Sequence, residues 1–197
     1  MVRVYTYLEP FLDNLNKSVG LSEFESHFNT PHQTVKKHLS VFTESGALKE
    51  EKKKRLLSYS LDLKNPLTRE YLIICEKERL FNFLEKNTLF RRLYETVSPF
   101  FGESRILIFG SAVGEKRFND IDVLVLGGGE SIKKELAKFG RTYSVKFHII
   151  QTRAEDLSPA FISELRKKHI IFNSHESFLE VLYDEHKLVQ KTGNEAD

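Results

Sequence analysis

Asp120 and Asp122 stand two positions apart at the head of an apolar stretch, Ile121-Asp122-Val123-Leu124-Val125. In an extended strand residues two apart share a face. Two carboxylates on one face repel each other unless a cation sits between them. Mg²⁺ (or Mn²⁺) suits such a pair, because it takes oxygen ligands and accompanies nucleotide phosphates. Upstream, Gly110-Ser111 follows the apolar run Ile106-Leu107-Ile108-Phe109. A glycine there lets the backbone approach a phosphate closely. Ser111 at the start of a helix offers its hydroxyl and amide to that phosphate. The four residues together describe a metal and nucleotide site, with Asp120 and Asp122 as metal-binding and catalytic residues and Gly110 and Ser111 as nucleotide-binding residues.

The elements around these residues follow from periodicity. The continuous apolar run Arg105 to Phe109 reads as a buried strand. Ile121 to Leu126 reads as a second, stopped by Gly127-Gly128-Gly129. These glycines lack the Lys-Ser or Lys-Thr that follows a phosphate-binding P-loop, so they are assigned to a chain turn. Ser131 to Phe139 reads as a helix closed by Gly140, and Tyr143 to Ile150 as a third strand with Ser144, Lys146 and His148 on its polar face. That face carries no acid. A lysine near Asp122 would compete with a metal, whereas His148 could serve as a base. Helices are expected over Glu155–Lys167 and Glu176–Val189, and residues 192–197 are expected to be a disordered tail.

The first third of the chain has a different character. Val2 to Tyr7 alternates as a strand would, and Pro10 suits the first turn of a helix running to about Lys17. Ser22 with Glu25 has capping-box spacing for a second helix. Thr30-Pro31-His32-Gln33 repeats the signal, with Thr30 as cap. The third helix, Pro31 to Ser45, sets Val35, Leu39 and Phe42 on one face. Its other side offers His32, Gln33, Thr34, Lys36 and Lys37. A hairpin follows, with Lys52, Lys53, Lys54 and Arg55 at its tip and Leu57, Tyr59 and Leu61 alternating on the return strand. Residues 65–101 read as a helical connector of one or two helices, ending at Pro99-Phe100-Phe101.

Composition bounds these readings. The chain has 197 residues, 40% hydrophobic and 29% charged. It is large enough for two small cores. No apolar run spans a membrane and no secretory leader opens the chain. One cysteine, Cys75, excludes an internal disulfide; with the missing leader it points to the cytoplasm. The seven histidines show no zinc spacing. A net charge of +2 does not imply nucleic acid, so the placement of the basic residues matters more.

Leu21 to Leu61 resembles the small winged-helix transcription regulators of bacteria and archaea. That resemblance implies that the third helix enters the major groove of double-stranded DNA and that the hairpin touches its backbone. Gln33 and Thr34 would then address bases or phosphates, and Lys36, Lys37 and the hairpin tip phosphates. A protein-interaction module is the competing reading of the same unit. A two-fold DNA site would imply a homodimer. Arg105 to about Gln151 resembles the minimal nucleotidyltransferases of the DNA polymerase β superfamily, in which an apolar strand, Gly-Ser and then Asp-x-Asp on a second strand form the motif. The spacer Ala112 to Asn119 is short for that family, and the acid that many members carry on a later strand is missing. The two resemblances imply an α+β protein like archaeal fusions of these modules: a winged helix-turn-helix over residues 1–64, the connector over 65–101, and a nucleotidyltransferase-like domain with a small mixed sheet over 102–191. The activity implied is transfer of a nucleoside monophosphate from a Mg²⁺-bound NTP to a protein, nucleic acid or small-molecule acceptor. The alternative is a regulator whose second domain only binds or senses a nucleotide.

Overall fold

A computed structural model describes residues 4–53, 56–115 and 118–183. The chain divides into two compact units, Met1–Arg79 and Leu80–Asp197. Its folding class is α+β, with one antiparallel sheet and one mixed sheet.

The first unit opens with a 3-10 helix, Val4–Phe11, where a strand was expected from Val2 to Tyr7. Val2 and Arg3 lie outside the described residues. Tyr7, Leu8 and Phe11 share the helical side and are buried there. The Thr6 amide donates to Glu78 Oε2 at 3.0 Å, so a side chain takes the place of a strand partner. Pro10 therefore lies inside this helix, and the expected helix to Lys17 gives way to turns and strand β1, Ser18–Gly20. Helix α1, Leu21–Phe28, starts on Gly20, whose amide donates to Glu23 Oε2. Glu23 thus does the work expected of Ser22 and Glu25. Asn29 leaves α1 in the left-handed conformation, at φ 47°.

Helix α2, His32–Glu44, is preceded by Pro31. Thr30 does not cap it, because the Thr30 hydroxyl donates back to the carbonyl of Phe28. Val35, Leu39 and Phe42 are fully buried, as their spacing requires. Strands β2, Leu48–Lys53, and β3, Leu56–Leu61, form the hairpin, and β1 adds to the far edge of β3. Lys52 and Lys53 end β2, opposite Leu57 and Leu56, rather than forming the tip. Lys54 and Arg55 lie outside the described residues. Tyr59 is buried beside Glu50, and burial followed by a hydrogen bond to that carboxylate pushes its phenol above the usual range.

The expected connector consists of two helices, α3, Pro66–Lys86, and α4, Thr88–Val97, and the division between the units falls within α3. Asn87 breaks them apart: its side chain donates to the carbonyl of Phe83, and Arg91 donates to that of Leu84, so the end of α3 is satisfied.

The second unit continues with β4, Ser104–Phe109; α5, Ser111–Gly114; β5, Asp120–Gly127; α6, Glu130–Tyr143; β6, Lys146–Thr152; α7, Pro159–Lys167; β7, His169–Ile171; and α8, His175–Tyr183. The sheet order is β6-β5-β4-β7. β4 is antiparallel to both neighbours and β5 is parallel to β6. One face buries Ile106, Ile108, Ile121, Val123 and Val125 with residues of α4 and α6. The other buries Leu107, Leu124, Leu126 and Ile171 with Leu165, Phe178 and Leu182 of α7 and α8.

Several boundaries differ from the sequence expectation. Gly140 does not close α6, which runs on to Tyr143 and ends at Ser144 with φ 54°. A side chain on Gly140 would put its Cβ 2.7 Å from the carbonyl oxygen of Val145, so glycine is required for close packing rather than for stopping the helix. Tyr143 and Ser144 consequently leave the third strand, which starts at Lys146. The helix expected over Glu155–Lys167 splits into a 3-10 turn, Ala154–Asp156, and α7, because the Ser158 hydroxyl caps α7 by accepting from the Phe161 amide. The three-residue strand β7 was not anticipated. The helix expected over Glu176–Val189 is described as α8 to Tyr183; its remainder and residues 192–197 lie outside the described residues. Gly127 and Gly128 turn the chain with positive φ, as assigned, and their carbonyls accept from the Gln151 side chain. Among the described residues no helix is long and apolar enough to cross a membrane.

Candidate active site

The site lies where β4 and β5 meet at one end of the mixed sheet. Asp120 and Asp122 alternate with the buried Ile121 and Val123, so both point to the face that carries Leu124. Phe109, the last residue of β4, is the cross-strand partner of Asp122. The chain leaves β4 through Gly110, at φ 76° and ψ −151°, a region open essentially only to glycine. The reason is local. A Cβ on Gly110 would lie 2.4 Å from Asp122 Oδ2. Glycine and carboxylate thus share one volume, and the Gly110 amide is anchored by donating to the carbonyl of Lys168 at 3.3 Å.

Ser111 follows as the first residue of the four-residue helix α5 and is half-buried. As first-turn amides, those of Ser111 and Ala112 have no partner within the helix. Lys168 comes from the other edge of this end. Its aliphatic stem would touch a side chain placed on Gly114, and its Nζ lies 3.4 Å from Glu115 Oε1, with both side chains about half exposed. Sequence reasoning missed Lys168, because β7, which brings it here, is too short to show a period.

On the other side of β5, the parallel register pairs Asp122 with His148 and Asp120 with Lys146. His148 Nδ1 lies 3.0 Å from Asp122 Oδ1, placed for an imidazole N–H to donate to the carboxylate, which can only accept. Among the described residues Lys146 has no carboxylate within ion-pair distance, and no described lysine pairs with Asp120 or Asp122. The Asp120 side chain has no polar partner among the described residues. His169 of β7 sits opposite Phe109 and is buried, its Nδ1 2.8 Å from the carbonyl of Leu165. It belongs to the core.

Among the described residues no three His, Cys, Asp or Glu side chains converge as an all-protein metal cage. A Mg²⁺ ion that arrives with a nucleotide is commonly held by one or two carboxylates plus substrate phosphates and water. Asp120 and Asp122 on one face of β5, with the bare backbone of Gly110 beside Asp122, offer such a carboxylate pair. Cys75 is fully buried and its thiol is pushed up by burial, so it takes no part.

On the first unit, His32, Gln33, Thr34, Lys36 and Lys37 are all exposed on α2, as is Lys52 on β2. His32 Nδ1 lies 3.4 Å from Glu25 Oε1. Glu50 and Glu51 interrupt the basic run of β2, so the hairpin is less uniformly positive than its tip.

No family model matches the chain, and no curated protein matches it. Two solved structures are similar to it. One is a crystal structure of a mutant of the toxin-antitoxin MntA-HpeT, 12% identical, with 53% of this chain and 89% of that one covered at a TM-score of 0.40. The other is a crystal structure of a toxin-antitoxin with AMP-PNP, 14% identical, with 53% of this chain and 90% of that one covered, also at a TM-score of 0.40. Likeness this distant decides nothing about activity, which has to be argued from the site.

Proposed function

We propose that this protein is a metal-dependent nucleotidyltransferase that moves a nucleoside monophosphate from an NTP to an acceptor. One observation carries the reading: Gly110 adopts a glycine-only conformation in the space that the Asp122 carboxylate needs. A structural turn has no need to press a bare backbone against an acid. A phosphate-binding loop beside a metal-binding carboxylate does. In this reading Gly110 and Ser111 hold the triphosphate by backbone and hydroxyl, and Lys168 offsets its charge. Asp120 and Asp122 hold the divalent ion, Mg²⁺ or Mn²⁺, which when bound neutralises the phosphates and makes the acceptor hydroxyl easier to deprotonate. The acceptor oxygen attacks the α-phosphorus and pyrophosphate leaves.

We assign the exposed side of α2 to double-stranded DNA, with Lys36 and Lys37 on phosphates and His32, Gln33 and Thr34 at the groove. Lys52 to Arg55 would add backbone contacts that weaken with salt. The module boundaries keep residues 1–64 for this reader, 65–101 for the connector and 102–191 for the transferase. A homodimer would follow from a two-fold DNA site. One observation favours a second reading, a regulator that binds nucleotide without turnover: β6 presents His148 to Asp122 where an acid would aid catalysis.

The test is incorporation of α-labelled NMP in the presence of Mg²⁺ or Mn²⁺, by the whole protein and by Asp122→Ala. Transfer that needs the ion and disappears in the variant supports the enzyme. Nucleotide binding with no transfer to protein, RNA, DNA or small-molecule acceptors supports the sensor. Transfer only with added nucleic acid identifies the acceptor class.

A further inference from the structure

We propose that the free edge of β6 pairs with β6 of a second copy of this chain, antiparallel about a two-fold axis at Ile149, joining the two mixed sheets into one continuous sheet.

The edge is open. β6, Lys146–Thr152, ends the sheet and is hydrogen-bonded only to β5. Among the described residues no other backbone hydrogen bond reaches it. None of its residues is buried, whereas every residue of β7, at the opposite edge, is. A strand left this way presents a row of amides and carbonyls to which another strand can add. Proteins that must stay single blunt such an edge with short length, proline, bulges or charges. β6 has none of the first three: it runs for 7 residues, holds no proline and keeps an unbroken register with β5. Its only lysine, arginine or acid is Lys146, at the end.

The strand's own sequence supplies the occupant. A two-fold axis through Ile149 sets Lys146 opposite Thr152, Phe147 opposite Gln151, His148 opposite Ile150, and Ile149 opposite itself. No like charges meet. Both faces gain apolar contacts from side chains only partly covered in one copy, Phe147 and Ile149 on one side and Ile150 on the other. Moving the axis to His148 would set Lys146 against Ile150 and leave Gln151 and Thr152 opposite residues outside the strand. A two-fold pair uses the same edge on both copies, so the assembly closes at a dimer. It sets Ile150 of the second copy beside His148, where it walls the candidate site. An edge of 7 residues makes an interface at the small end of the range, so a reversible dimer of micromolar affinity is expected.

Sedimentation equilibrium of the full-length protein measures the association, and charges placed across the axis check the register. Wild type is expected to dimerise reversibly. Thr152→Lys creates two like-charge pairs with Lys146 across the axis, and Thr152→Glu two opposite-charge pairs. They are expected to weaken and to tighten the dimer, respectively, by roughly two- to thirty-fold. Ile149→Cys is expected to cross-link under mild oxidation, because directly opposed Cα atoms lie about 4.5–5.5 Å apart, within reach of a disulfide. The native Cys75 is buried and does not interfere. Lys146→Cys, about 20 Å from its counterpart, is expected not to cross-link. Circular dichroism confirms that each variant is folded. A monomeric wild type overturns the inference, whether hydrogen exchange finds the β6 amides open or covered by another segment. A dimer that responds to neither Thr152 variant, or in the same direction to both, and forms no Ile149→Cys cross-link overturns it too, because another surface then holds the copies together.

Discussion

Replacing Gly110 with alanine tests the site at its narrowest point. Two costs can be worked out separately. The backbone at φ 76° and ψ −151° is one that a Cβ penalises by about 1–3 kcal/mol. The new Cβ would also fall 2.4 Å from Asp122 Oδ2, against 3.4–4 Å for ordinary contact. Relief therefore requires the carboxylate, or the turn, to move by about 1 Å. Displacement of that size at a reacting centre costs on the order of 100-fold in rate. Gly110→Ala should thus lose about 1–3 kcal/mol in urea unfolding and roughly two orders of magnitude in NMP transfer or metal-dependent nucleotide affinity. Gly114→Ala is the internal control, because its Cβ would make only ordinary contacts with the Lys168 side chain, the nearest at 3.7 Å. Unchanged stability and unchanged nucleotide chemistry in Gly110→Ala would refute the steric reasoning. Lost stability with unchanged nucleotide affinity would reduce Gly110 to a structural turn.

Lys168→Glu places a carboxylate where the triphosphate would lie, and should raise the KM for NTP at least ten-fold with a smaller change in kcat; steady-state kinetics at saturating acceptor would show it. Lys36→Ala with Lys37→Ala should weaken DNA binding evenly across sequences and flatten the dependence of log K on log salt by about 0.9 per lost phosphate contact. An unchanged slope by fluorescence anisotropy would shift the assignment of α2 toward a protein partner. Asp62 accepts from Lys49 Nζ and from the Lys64 amide, and the Lys49 hydrogen bond above all holds its carboxyl below the usual range. Its folded value being the lower one, the pair adds stability above the ordinary carboxylate range and loses it as pH falls through the folded value. Lys49→Met should raise the Asp62 titration measured by NMR and shrink that acid-side dependence of stability.

Much of the site was legible in the residues themselves. The alternation of Asp120 and Asp122 with Ile121 and Val123 is a property of any half-buried strand, so their shared face required no tertiary knowledge. The buried side of α2 followed equally from the spacing of Val35, Leu39 and Phe42. Failures came where local signals competed. Val4 to Tyr7 alternates like a strand but finds burial on a helical side, with the Thr6 amide answered by a glutamate distant in sequence. Thr30 has the chemistry of a cap, yet its hydroxyl closes the preceding turn instead. Gly140 looks like a helix stop and is a point of close approach to Val145.

The partner of Asp122 belongs to the tertiary structure alone. Nothing local to β6 says that His148 rather than Lys146 faces Asp122. A slip of one residue would turn Phe147 and Ile149 toward the opposite face, so the register is set by burying both faces of the sheet at once. Lys168 reaches the site only because the three-residue β7 pairs with β4. The sequence by itself determined the local pattern, a carboxylate pair on one strand face and a glycine-serine turn, because strand period and backbone sterics are local. The tertiary structure decided which imidazole and which lysine lie beside that pattern, because those depend on which strands meet and in what register.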